Sequence, residues 1–132
     1  MNITILPASW TPYLLSVLRF VAGLTFMSHG VAKLLKYPPL PMFAKVELMS
    51  LIGVAGVLEL VGGALLIVGL CTRPVAFILA GEMAVAYFMS HFPRGFHPLV
   101  NGGEAAILFC FIFLYIAAAG AGPWSLDAKM KK

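Results

Sequence analysis

Three ionisable side chains sit deep inside apolar stretches of the sequence: Arg19, Glu59 and Glu82. A guanidinium beside two carboxyl groups is a set that can hold and release a proton. Burial disfavours the charged forms, neighbouring acids repel, and such a pair titrates as a unit. Counting about 1.5 Å of rise per residue from the end where both termini lie puts Arg19 about 10 Å deep, Glu59 about 16 Å and Glu82 about 12 Å. Tyr115 falls about 10 Å from the same end, so its hydroxyl joins the layer. On a helical wheel Glu59 shares an arc with Ala55, Gly56, Gly62 and Gly63, and Glu82 shares one with Ala86 and Met89. The spacing therefore predicts a buried cluster in which Arg19, Glu59 and Glu82 exchange protons catalytically. A purely structural reading remains open, with Arg19 neutralising one acid and tying helices together.

A second polar layer lies towards the opposite end. His29 and Lys33 are four apart on one helix face, and Asn101 and Glu104 enter from the last apolar stretch. A Lys33–Glu104 ion pair is predicted here, and His29, Lys33, Glu104 and Tyr115 are the predicted ligand-binding residues. The competing readings are that Glu104 completes a capping box begun at Asn101 and that Lys33 snorkels to the headgroups. Haem is not expected, because His91 falls about 180° from Glu82 on the wheel and so points away from the interior unless the helix has ended before it. No metal is predicted, since the acids and histidines lack the Glu-x-x-His spacing of bundle metal sites. Cys71 and Cys110 lie about 18 Å apart along the axis, too far to bond, and read as small apolar residues.

The elements that must position these groups are membrane helices. Of 132 residues 61% are hydrophobic and 11% charged, and the mean hydropathy is +0.98. A soluble domain carries about 25% charged residues, so too little polar surface remains for a water-facing fold. Four stretches approach the roughly 20 apolar residues a bilayer needs, at about 13–35, 48–70, 74–92 and 103–122. They are too long, and too uniformly apolar, for barrel strands. Thr11-Pro12 and Arg73-Pro74 mark helix starts, the Pro38-Pro39-Leu40-Pro41 run is a stiff connector, and Asn101 to Glu104 has the N-x-x-E capping form. The expectation is an all-α, integral membrane four-helix up-down bundle formed by one domain over 1–132. The first helix stays as an anchor, there being no basic segment and cleavage site ahead of it. The lipid bilayer is the first partner. A net charge of +4 suits anionic headgroups, and no nucleic-acid partner is expected. Arg73, Lys129, Lys131 and Lys132 on one side nearly balance Lys33, Lys36, Lys45 and Arg94 on the other, and both termini are set in the cytoplasm.

The order of short motifs is itself informative. Leu18-Arg19-Phe20, Ser28-His29-Gly30-Val31-Ala32-Lys33, Leu58-Glu59-Leu60-Val61-Gly62-Gly63 with Gly69-Leu70-Cys71-Thr72-Arg73, Asn101-Gly102-Gly103-Glu104, and Gly120-Ala121-Gly122-Pro123-Trp124-Ser125-Leu126-Asp127 succeed one another along nearly the whole chain. In this order they resemble the DoxX family. The resemblance implies a small four-helix protein of the bacterial inner membrane, some relatives of which are associated with thiosulfate:quinone oxidoreductase or with redox-stress and thiol-homeostasis complexes. It also implies that Arg19, His29, Lys33, Glu59, Glu104 and Asp127 occupy motif positions, whereas Glu82 and Tyr115 come only from face and depth. Asp127 is expected to cap the terminal segment or to pair with Arg73.

Two functions are compatible with these features. In the first, the chain is a membrane subunit or accessory of an oxidoreductase system and binds a quinone-like molecule beside the Arg/Glu cluster, electrons arriving from a redox protein partner. Whether the chain is itself an enzyme stays open at this point. In the second, it is a membrane scaffold for a redox or stress complex, or a small transporter, and Gly53, Gly56, Gly62 and Gly63 form contact surfaces within the bundle or in a homo-oligomer.

Overall fold

The computed structural model describes residues 1–131; Lys132, counted above in the charge balance, lies outside the described residues. The described residues contain helices and turns and no strand. The first helix, α1 (Thr11–Leu34), is followed by α2 (Leu51–Val68) and α3 (Thr72–Ala86); then come a four-residue α4 (Pro98–Asn101), α5 (Glu104–Ala119) and a short terminal α6 (Leu126–Met130). A 3-10 turn at Ala8–Trp10 leads into α1, and α3 continues through a π turn (Tyr87–His91) and a 3-10 turn (Phe92–Arg94). Three helical segments, Ala8–Leu34, Leu51–Val68 and Thr72–Arg94, are long and apolar enough to cross a membrane. The fourth apolar helix, α5, has 16 residues and rises about 24 Å, short of a full bilayer core.

Helix starts depart from the expected punctuation. Thr11 is already helical, with Trp10 at the cap position making no side-chain bond, and α3 begins at Thr72 after Cys71 rather than at Arg73-Pro74. The reason is that neighbouring turns and a distant side chain supply what local caps would have. The α2–α3 link is three residues long, and Gly69 makes its turn in the left-handed region (φ 71°).

Small residues set the helix registers. A Cβ on Gly30 would stand 2.5 Å from the Leu60 nitrogen and 2.7 Å from the Gly56 oxygen, and one on Gly63 would stand 2.7 Å from Met27 Cβ. Gly23 meets Leu66, so contacts run from the start of α1 against the end of α2 and back again. Gly62 lies under Leu79 of α3, and Phe26 of α1 packs edge-on against Phe113 of α5, ring centroids 4.9 Å apart. The glycines at 53, 56, 62 and 63 are all buried within the chain: the last three bring its own helices together, and Gly53 lies against the loop backbone at Glu47 and Leu48. Around them Phe26, Leu66, Leu79, Met83, Phe113 and Ile116 form the core, while Val54, Phe77, Phe88 and Phe111 remain exposed, as lipid-facing side chains should be.

Candidate functional site

Close approach of α1 to α2 is what creates the site. Gly56 has no side chain, and the stem of Lys33 lies over it, 3.1 Å from where a Cβ would be. From there Lys33 Nζ donates to Glu59 Oε1 at 2.6 Å. This is the one salt bridge among the described residues, and the two side chains are 15% and 3% exposed. On α3, Glu82 is close enough to feel the charges of Glu59 and Lys33 but bonds to neither. Glu59 Oε2 and both Glu82 carboxyl oxygens are buried with no hydrogen-bond partner. One ammonium thus pairs with one of the two carboxyl groups, and three buried acceptors remain open. Buried acceptors almost always have donors, so the arrangement calls for a proton on the acid pair or for a ligand that brings one.

Arg19 is not part of this cluster, contrary to the sequence expectation. It is 2% exposed, and its guanidinium donates to the carbonyl oxygens of Leu66 (2.8 Å), Ile67 (3.5 Å), Trp124 (2.8 Å) and Ala121. The physical reason is that α2 ends nearby, where Leu66 O has only the Gly69 amide at 3.2 Å and the carbonyls after it run out of intrahelical partners, and the irregular 120–125 segment leaves more. A fork of five N–H donors answers both. Fourteen residues separate Arg19 from Lys33, about 21 Å along α1, so the two polar layers occupy opposite ends.

Other expectations also change. Lys33 pairs with Glu59 rather than Glu104, which is exposed at the first turn of α5; its long stem reaches inward from the helix end. Asn101 makes no capping box: its Oδ1 accepts from Gly103 N at 2.8 Å and its Nδ2 donates to Tyr87 Oη and Gly95 O. Tyr115 is 54% exposed and faces outward, because one helical step separates it from the buried Ile116. His29 is exposed and packs against Phe109, ring centroids 6.1 Å apart. His91 is half-buried, its Nδ1 3.2 Å from the Asn101 carbonyl. The π turn explains this: one extra residue in the turn rotates the residues after it by about 100°, leaving His91 about 80° from Glu82. Both cysteines are free, Cys71 exposed and Cys110 half-buried.

Sequence reasoning did not foresee the terminal clasp. Asp127 neither caps α6, which Ser125 does through Ala128 N at 3.1 Å, nor meets Arg73. Its carboxylate accepts from the amides of Cys71 and Thr72, both at 2.8 Å, capping α3 from far along the chain. Partial burial pushes the Asp127 carboxyl up, and the Thr72 and Cys71 donors with the charge of Arg19 outweigh it, so the carboxyl is held below its ordinary range. Arg73 donates to the last carbonyls of α5, at Ala117, Ala118 and Ala119. A groove of about 500 Å³ beside the clasp is lined by Arg73, Gly120, Ser125, Asp127 and Lys131, and an aromatic slot of about 490 Å³ lies between Trp10, Tyr13 and Trp124. Both are on the terminus side, away from the acids.

The family model for DoxX matches residues 14–92. The chain belongs to the DoxX family. This DoxX chain is 45% identical over 128 residues to a protein of Haemophilus influenzae described as uncharacterized, with 93% of this chain and 95% of the relative covered. It is 25% identical over 131 residues to an uncharacterized membrane protein of Mycobacterium tuberculosis, covering 87% and 80% of the two. No solved structure matches. The matched stretch holds Arg19, Lys33, Glu59 and Glu82, hence both polar layers. The DoxX chain is therefore a membrane protein with several apolar helices, in contact with lipid.

Proposed function

We propose that this DoxX protein is a membrane subunit or accessory of an oxidoreductase system, in which Lys33, Glu59 and Glu82 exchange a proton with a bound quinone-like molecule. In this reading α5 spans together with the three longer helices, making a four-helix up-down bundle over the whole chain, set in a bacterial inner membrane with both termini cytoplasmic. The observation that carries the proposal is the set of three buried carboxyl oxygens without donors beside a single lysine. A carbonyl of the ligand accepts a hydrogen bond from the Lys33 ammonium, and the acid pair gives one proton as the ligand is reduced and takes one back as it is oxidised, the couple's second proton exchanging with water. Glu59 holds Lys33 in place, which leaves Glu82 as the group free to carry the proton. Electrons come from a partner protein. Arg19, moved out of this reading by its carbonyl partners, serves the fold.

The test is a titration of the purified full-length chain in mild detergent with a short-chain quinone and its quinol, followed by the ligand's absorbance. Lys33→Met and Glu59→Gln should weaken binding at least tenfold, since a hydrogen bond to a charged group contributes about 1.5–3 kcal/mol. Binding that both variants retain at the wild-type level would overturn the proposal.

A further inference from the structure

The segment between α1 and α2 is held down over the cluster. Lys36 takes a left-handed backbone (φ 59°), and its Nζ donates to the carbonyl oxygens of Lys33 at 2.9 Å, Phe43 at 2.8 Å and Val46 at 3.0 Å. Three acceptors use all three ammonium protons, so Lys36 pins the loop back on the helix it has just left. The far end is fixed against α2. Ser50 Oγ accepts from Gly53 N at 3.0 Å, and Gly53 admits no methyl, because a Cβ there would run into the carbonyl oxygen of Glu47.

Between these two fixed ends the half-buried Phe43 ring lies over Lys33, its centroid 5.7 Å from Nζ. Lys33 keeps 15% of its side-chain surface while Glu59 keeps 3%, so Lys33 is where the buried layer meets the boundary, and Phe43 is what covers it. An ammonium within about 6 Å of a ring face is attracted to it, more strongly where water is excluded. Apart from one 3-10 turn at Pro41–Phe43 the segment has no helix of its own. Its opening breaks the Lys36 bonds and the ring contact while α1 and α2 stay intact, which is the behaviour of a low-cost local opening.

We infer that residues 37–48 are a strap closing the loop-side entrance to the Lys33–Glu59–Glu82 layer, with Phe43 as the side chain that moves before water or a polar solute reaches Lys33. The strap's importance for activity rests on the proposed function; its existence does not. The experiment therefore reads access alone and uses no quinone. The purified full-length chain is treated with a water-soluble amine-reactive ester, and modification of each lysine is followed by mass spectrometry, with the exposed Lys131, outside the strap, as the reference rate.

Phe43→Ala and Lys36→Met should each speed modification of Lys33 about tenfold, the change expected when ~1.4 kcal/mol is taken from a closed state. Phe43→Tyr, which keeps a ring over the ammonium, should leave the rate near that of the parent chain. A parental Lys33 rate in both Phe43→Ala and Lys36→Met would overturn the strap. So would acceleration in Phe43→Ala alone, which would reduce Phe43 to a local cover. Equal acceleration at Lys129, at the far end of the molecule, would mark general loosening and also count against it. Loss of quinone binding with Lys33 still shielded would instead bear on the proposed function.

Discussion

The two polar layers of this DoxX chain look alike in sequence and are opposites in structure. At the terminus side Arg19, Arg73 and Asp127 are each matched to backbone groups that helix ends leave without partners: carbonyls for the arginines, amides for the carboxylate. Thr72 Oγ1, beside the Asp127 carboxylate but outside hydrogen-bond geometry, is the exception there. At the loop side, Lys33 meets Glu59, and three carboxyl oxygens remain without donors. A buried charge in a membrane protein thus has two uses. One is to complete the backbone of irregular segments, which lipid cannot do. The other is to keep a group available for chemistry. Arg19 and Glu59 are equally buried, 2% exposed each, so what separates these two is the count of unsatisfied partners.

The largest effect that sharpens this contrast belongs to Arg19. Arg19→Met leaves carbonyls at Ile67, Ala121 and Trp124 without the guanidinium donors, and Leu66 O with the Gly69 amide alone, and should cost roughly 3–5 kcal/mol, read as a large drop in the thermal midpoint of the detergent-solubilised chain. Arg19→Lys should recover only part of it, since one ammonium cannot reproduce the guanidinium fork. A wild-type midpoint in Arg19→Met would erase the distinction between the layers.

Next comes the helix contact that places Lys33 over Glu59. Gly30→Ala drives a methyl into the α2 backbone and should cost about 1–3 kcal/mol, with quinone affinity falling alongside stability. Retained stability with unchanged affinity would show that the α1–α2 approach is looser than the register implies.

Smaller again is the clasp. Asp127→Asn keeps the shape but weakens two charge-assisted bonds to the start of α3, a loss of about 1 kcal/mol. Because the folded state holds the Asp127 carboxyl below its unfolded value, its contribution is fully present above the ordinary carboxylate range and disappears as pH falls through the lowered one. Stability measured on the acid side should therefore decline more steeply in the parent chain than in Asp127→Asn. Parallel acid profiles would remove Asp127 from the clasp.

The smallest effect is expected from the two residues that the fold turns outward. Tyr115→Phe and Glu104→Gln should each lie within about 0.5 kcal/mol of the parent and leave quinone affinity alone. A tenfold loss in Tyr115→Phe would restore the cluster that sequence spacing suggested, and one in Glu104→Gln would restore the Lys33–Glu104 pair.

Much of the architecture was legible from the residues. Apolar length announced the helices, and Gly56, Gly62 and Gly63 marked the face α2 turns inward. The pairing of charges was not legible, for a physical reason: wheel angle and axial depth locate a Cα, whereas Lys33 and Arg19 act at the end of long side chains. Lys33 reaches inward to Glu59, and Arg19 reaches towards the ends of helices. The placement of His91 held only for a continuing α-helix, and α3 ends at Ala86: an α-helical wheel has no register for the π turn that follows, and nothing in the YFMSH sequence (87–91) signals one. Asp127 caps an amide pair more than fifty positions back, and a local motif cannot show that.

The central claim is that Glu82, not Arg19, is the group kept for chemistry. Its most direct test is a quinone titration of Glu82→Gln, with the thermal midpoint taken on the same sample. The account predicts a midpoint equal to or above that of the parent chain, because an unpaired buried carboxyl is removed, together with at least tenfold weaker binding. Undiminished quinone binding by a folded Glu82→Gln chain would contradict it.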